Sequence, residues 1–240
     1  MSWRCAMSLL LLCAAACLPV GCDWHLPGKP IKPEPQSLDS KEAFERLYFV
    51  NCLGCHGPDG LNGAARPMHD PVYLAVIPTK TLEEVISEGH GTLMPGFKKT
   101  LSGGLTDKEI AALASGMKHF WGDPEKAGDN LPPYAQPKGT GNPDAGKQTF
   151  ATFCGECHGS DGTGLEDGAG SVVDNVYLLL VTDQALRSTV ICGRIDLGCP
   201  SFRGPYKGQP EGRGLTDTEI DDVTAWLASN RRSVAEEAAK

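Results

Sequence analysis

A pentapeptide that occurs twice constrains this chain more than anything else in it: Cys52-Leu53-Gly54-Cys55-His56 and Cys154-Gly155-Glu156-Cys157-His158. The match extends well beyond the cysteines. Tyr48 stands four residues before Cys52, as Phe150 does before Cys154. Tyr73-Leu74 corresponds to Tyr177-Leu178, Leu82 to Leu186 and Gly89 to Gly193. Met94-Pro95-Gly96-Phe97 aligns with Cys199-Pro200-Ser201-Phe202, and the segment from Gly104 to Ile110 with that from Gly214 to Ile220. Such a repeat, with a period of roughly 100 residues, is a tandem duplication, so the 240 residues are expected to form two small units rather than one large one.

Each unit reads as short helices joined by long loops. A first helix, near Lys41 to Val50 or Asp144 to Phe153, delivers the pentapeptide, and a middle helix runs near Thr81 to Glu88 or Asp183 to Ile191. The last helix opens on Thr106 or Thr216 with Glu109 or Glu219 three residues on, a capping-box signature. Ile110, Leu113 and Met117, and likewise Ile220, Val223 and Leu227, recur at helical spacing and give each terminal helix one apolar face. The stretch Gly122 to Gly141 is rich in Gly, Pro and charge, has no period and reads as a linker. Aromatic residues make up only 7 % of the chain against 29 Gly and 18 Pro, so each unit has a thin core. A large, rigid apolar body bound inside would supply what small domains otherwise draw from disulfides or metals.

An N-terminal helix, Cys-X-X-Cys-His, a loop around Met94 and a C-terminal helix together resemble class I cytochrome c domains, over residues 40–121 and 141–231. The resemblance implies an all-α chain of two tandem class I cytochrome c domains, each wrapped around a haem. The domain plan it suggests is a signal peptide at 1–21, a proline-rich tether at 22–39, the first domain at 40–121, a linker at 122–140, the second domain at 141–231 and a tail at 232–240. In Cys-X-X-Cys-His two thiols reach the two vinyl groups of one porphyrin while the adjacent imidazole turns beneath the iron. Cys52 and Cys55, and Cys154 and Cys157, are therefore expected to carry two covalently bound haem c groups, with His56 and His158 as proximal ligands. The rival readings are a structural disulfide, a thioredoxin-like redox pair and a zinc site. The redox pair lacks its βαβ context, and zinc needs the two distant motifs to converge.

The two haems are expected to differ. Met94, in Gly91-Thr92-Leu93-Met94-Pro95-Gly96-Phe97, resembles the methionine loop of the family, and a neutral thioether favours Fe(II) and a high potential. His90 is a rival ligand. No Met or His follows His158, and the position aligned with Met94 is Cys199. Cys199 could ligate the second iron as a thiolate. It could instead form a disulfide with Cys192, which the oxidising compartment permits and which leads among the readings. The iron would then be five-coordinate or would take a borrowed side chain such as Lys207, His119 or His69.

The N-terminus sets the compartment. Arg4 precedes the apolar run Ala6 to Leu18, which is too short to span a bilayer and reads as a secretory signal. Leu18-Pro19-Val20-Gly21-Cys22 resembles the lipobox of bacterial lipoproteins, which implies lipidation at Cys22 and a periplasmic or otherwise extracytoplasmic, membrane-anchored protein. The proline-rich stretch from Pro27 to Pro35 follows as an extended tether. A formal charge of -8 without clustered Lys and Arg argues against a nucleic-acid partner and for docking to basic redox proteins. The expected function is electron transfer between membrane respiratory partners, such as a quinol-oxidising complex and a terminal oxidase or another cytochrome. The alternative is an enzyme at the second haem, resembling thiosulfate dehydrogenases or dihaem peroxidases.

Overall fold

The computed structural model describes residues 37–101, 103–137, 140–208 and 212–233. The expected signal peptide, Cys22, most of the expected tether and most of the expected tail lie outside the described residues. The described chain is helical, with one minimal pair of strands. Among the described residues no helix is long and apolar enough to cross a membrane.

Helix α1 (Lys41–Asn51) starts where the Ser40 side chain accepts from the Ala43 N–H, and it buries Phe44, Leu47 and Tyr48 at helical spacing. A single turn, α2 (Leu53–His56), follows directly and carries most of the first pentapeptide. Helix α3 (Pro71–Val76) is capped by Asp70 and started by Pro71, and α4 (Thr79–Glu88) leads into β1 (Gly89–His90), which pairs antiparallel with β2 (Met94–Pro95). Helix α5 (Asp107–Gly116) has the expected capping box, with the Thr106 side chain bonded to the Glu109 N–H and the Glu109 carboxylate to the Thr106 N–H. Its end widens into a π-helical turn, Met117–Trp121, which sets Trp121 edge-on to Phe44 and Tyr48 at 4.9 and 4.7 Å.

After the short α6 (Pro124–Ala127) the order repeats: α7 (Pro143–Phe153), α8 (Gly155–His158), α9 (Asn175–Leu180), α10 (Asp183–Cys192), a 3-10 turn (Ile195–Leu197) and α11 (Asp217–Ser229). Helix α11 opens on the second capping box, Thr216 with Glu219. It crosses α7 so closely that a Cβ on Gly146 would lie 1.9 Å from the Asp222 carbonyl oxygen, which only glycine permits. Trp226 packs on Phe150 at 4.4 Å, so both terminal-helix tryptophans serve packing.

The two halves are not independently packed. One core cluster contains Tyr48, Tyr73, Leu82 and Leu113 from the first half together with Ile191, Cys192, Phe202 and Ile220 from the second. A smaller cluster gathers Phe150, Leu178, Leu186 and Trp226. The segment between the two halves is built into the structure. Ala127 is buried, and the carbonyl of Tyr134 accepts from Gln184 Nε2 at 2.9 Å and Arg187 Nε at 3.1 Å, both on α10. The Tyr134 ring lies edge-on to Tyr73 at 6.4 Å. Composition carries no information on whether such a segment is held by side chains elsewhere.

Candidate haem sites

The two pentapeptides adopt the same backbone. The Cys52 N–H closes α1 by donating to the Tyr48 carbonyl at 2.8 Å, and the Cys154 N–H closes α7 on the Phe150 carbonyl at 2.8 Å. The His56 N–H then donates to the Cys52 carbonyl at 3.0 Å and the His158 N–H to the Cys154 carbonyl at 3.0 Å. One helical turn thus carries two cysteines and a histidine in the same backbone arrangement in each half. The aromatic four residues before each first cysteine supports the turn from behind, and the Tyr48 hydroxyl donates to the Gly57 carbonyl at 2.9 Å.

Each imidazole is held in the same way. Nδ1 of His56 lies 3.2 Å from the carbonyl oxygen of Arg66, and Nδ1 of His158 lies 3.2 Å from that of Gly170. A carbonyl only accepts, so Nδ1 carries the proton and the lone pair of Nε2 is left for a metal. Burial also holds His56 below the usual histidine range, which favours the neutral form a metal requires. All four motif thiols are free. Burial and the neighbouring Cys55 push Cys52 up to about 11, and burial, then Cys199 and Cys157, push Cys154 up to about 12. Two free thiols and an oriented Nε2 per half fit the attachment of haem c. The same free thiols argue against a structural disulfide within either motif, and among the described residues no three His, Cys, Asp or Glu side chains cluster as a zinc site needs.

The distal side shows how the two halves correspond. In the first, His90 and Met94 face each other across the strand pair, and Gly89 turns at φ 86°, where a Cβ would fall 2.3 Å from the Met94 carbonyl oxygen. In the second, Arg194 and Cys199 face each other, and Gly193 turns at φ 72°, where a Cβ would fall 2.5 Å from the Cys199 carbonyl oxygen. The flanking bonds agree as well: Leu105 N–H to Phe97 C=O is 2.7 Å and Leu215 N–H to Phe202 C=O is 2.8 Å. The second loop is one residue longer, and the 3-10 turn with Gly198 in the left-handed region absorbs it. Cys199 therefore occupies the backbone position of Met94.

Other candidates are engaged elsewhere. His90 Nε2 is 2.8 Å from Oγ1 of Thr182, the N-cap of α10, so this histidine joins the two halves. His69 stacks on Trp121 at 5.2 Å, His119 packs on Phe120 at 4.7 Å, and Lys207 is exposed. The expected disulfide between Cys192 and Cys199 is not formed, since both are free thiols. The reason is where helix α10 ends. Cys192, fully buried on its last turn, faces Arg66 of the first half, whereas Cys199 lies beside Cys154 and Cys157 of the second pentapeptide. Burial pushes the Cys199 thiol up, and a hydrogen bond to the Arg194 backbone, then the Arg194 charge, oppose that.

Arg66, Thr182 and Tyr134 drew no attention in the sequence. Their importance lies in contacts across the two halves, which no spacing rule reports.

A helical chain with two such motifs, each fitted to a covalent haem, defines the class: this is a dihaem c-type cytochrome, with two covalently bound haem c groups. The family model described as cytochrome c oxidase, cbb3-type, subunit III matches residues 39–115, and the cytochrome c model matches residues 143–231. Among curated proteins, the chain is 29 % identical over 193 residues to the cbb3-type cytochrome c oxidase subunit FixPc of Rhizobium leguminosarum bv. viciae, covering 76 % of this chain and 58 % of that one. It is 24 % identical over 181 residues to the cbb3-type cytochrome c oxidase subunit FixP of Azorhizobium caulinodans, covering 71 % of this chain and 56 % of that one. The chain thus spans a little over half the length of these relatives. Among solved structures, a chain of the Kuenenia stuttgartiensis reducing HAO-like protein complex Kustc0457/Kustc0458 aligns with a TM-score of 0.45 at 17 % identity, covering 79 % of this chain and 96 % of that one.

Proposed function

We propose that this chain is an asymmetric electron relay on the extracytoplasmic side of a membrane, taking electrons from a quinol-oxidising complex or another cytochrome and passing them to a terminal oxidase. Haem iron supplies the chemistry by cycling between Fe(III) and Fe(II), one electron at a time. Cys52 and Cys55 attach the first haem and Cys154 and Cys157 the second, within domains at 40–121 and 141–231. His56 and Met94 ligate the first iron, and His158 and Cys199 the second. A neutral thioether favours Fe(II), whereas an anionic thiolate favours Fe(III), so the second site lies lower in potential and electrons run from it to the first.

The observation that supports this reading is the matched backbone at Met94 and Cys199, which places a thioether in one half where the other has a thiol. The relatives named as subunits of cbb3-type oxidases support an oxidase as acceptor. The lipobox-like segment ending at Cys22 supports anchorage by a lipid. An enzyme at the second haem, of the thiosulfate dehydrogenase or peroxidase kind, is not favoured by these relatives.

The test is stopped-flow mixing of the reduced holoprotein with membranes containing a cbb3-type oxidase. Rapid oxidation of both haems is expected. Failure of either haem to be oxidised at a rate above that of the protein alone in air would overturn the oxidase as acceptor.

A further inference from the structure

Among the described residues, Arg66 carries the buried side-chain nitrogens that lack a partner: Nε and Nη1 are both sealed from solvent and neither is hydrogen-bonded. Its guanidinium carbon stands 4.8 Å above the Tyr73 ring, and the group also reaches the Cys192 thiol on the last turn of α10 in the second half. The backbone carbonyl of the same residue receives Nδ1–H of His56. One residue therefore holds the first imidazole through its main chain and extends its side chain into the seam between the halves.

A guanidinium stays charged at every accessible pH, and although Arg66 as a whole is half-buried, two buried donors without partners are unfavourable. The nearby carboxylates are already committed. Asp70 caps α3 by accepting from the Tyr73 N–H at 2.8 Å, and Asp196 is paired with Arg194. The vacant donors call for an anion, and a planar carboxylate is what a guanidinium binds best. The covalently attached haems bring such carboxylates with them as propionates.

We propose that Arg66 is the binding site for a propionate carboxylate of the first haem, and that this pair sets the electrostatic environment at the seam between the two haem sites. The main chain of Arg66 points to the first haem, while its guanidinium also faces Tyr177, Cys192 and Asp196 of the second half. That main chain is tied to His56, whereas the second imidazole is tied to Gly170 instead. A cation here stabilises the electron-rich Fe(II) state of the nearer iron, and without it the propionate charge is left uncompensated.

The inference depends on the dihaem reading only for the presence of a propionate. The test is a spectroelectrochemical titration of both haems in the wild-type holoprotein, R66Q and R66K, with intact mass confirming two haems in each. R66Q is expected to shift the first haem roughly tenfold toward Fe(III), about 59 mV for one electron, with a smaller shift at the second. R66K, which keeps the charge, is expected to recover most of it. Unchanged potentials in R66Q with both haems present would overturn the proposal, as would a larger shift at the second haem. Should R66Q fail to mature, redox-difference infrared spectra of wild type and R66K decide. A carboxylate band that moves with oxidation of the first haem and shifts in R66K is expected, and its insensitivity to R66K would overturn the assignment. Wild-type potentials that track added phosphate would show a free anion in the site instead, which also overturns it. A chain lacking a haem by mass would break the dihaem reading itself, a separate failure.

Discussion

Arg194 and Cys199 exchange two backbone hydrogen bonds of 3.0 Å each, in the place where His90 and Met94 pair in the first half. The thiol is thereby fixed by the same device that fixes the thioether, and the two sites differ in chemistry rather than in frame.

Replacing the thiol by a thioether should therefore make the sites alike. In C199M the second haem is expected to gain potential by more than tenfold in equilibrium constant, more than about 59 mV, and to acquire the optical signature of the first. A redox titration followed by optical spectroscopy reads both.

His90 is expected to matter for joining the halves and not for the iron. H90A and T182A should each lower stability, with a coupling of about 1 kcal/mol in a double-mutant cycle. The spectrum of the first haem should be unchanged in both, as denaturant melts and absorbance will show.

How much of this was legible in the sequence divides along local and non-local lines. The capping boxes, the apolar faces of α5 and α11 and the two pentapeptides each depend on residues within a turn or two of one another, and all are found where spacing put them. Helices α3 and α9 were missed although Asp70 and Asp174 cap them, because six residues are too few to show a period. The Cys192 to Cys199 disulfide failed for a different reason. Seven residues of separation say nothing of which way a helix end faces, and α10 turns Cys192 into the seam. The clamp on the linker was illegible because Arg187 and Tyr134 are distant in sequence.

That clamp yields its own prediction. Arg187, buried, donates to the Pro133 and Tyr134 carbonyls and pairs with Asp221 of α11. Removing one partner strands a buried charge, so R187L is expected to cost about 3–5 kcal/mol, while R187L with D221L costs less than R187L alone. Urea melts of the holoprotein measure both.

The second capping box gives a pH dependence. Its Glu219 carboxylate is held down to about 2 by Arg213 and by its bonds to Thr216, against an ordinary value of 4.5. A depressed carboxylate stabilises the fold above its unfolded value and loses that contribution as pH falls. The cap should thus hold at neutral pH and weaken between about 4.5 and 2. R213Q should move that loss to higher pH, seen as an earlier fall of Tm on acidification.

The most direct test of the central claim, two equivalent haem frames with different distal ligands, is the EPR spectrum of the fully oxidised protein. Two low-spin Fe(III) signals are expected, one of the His/Met kind from His56 and Met94 and one with the narrow spread of a thiolate ligand from His158 and Cys199, the latter lost in C199A. Two signals of one kind, or a high-spin second haem, would contradict it.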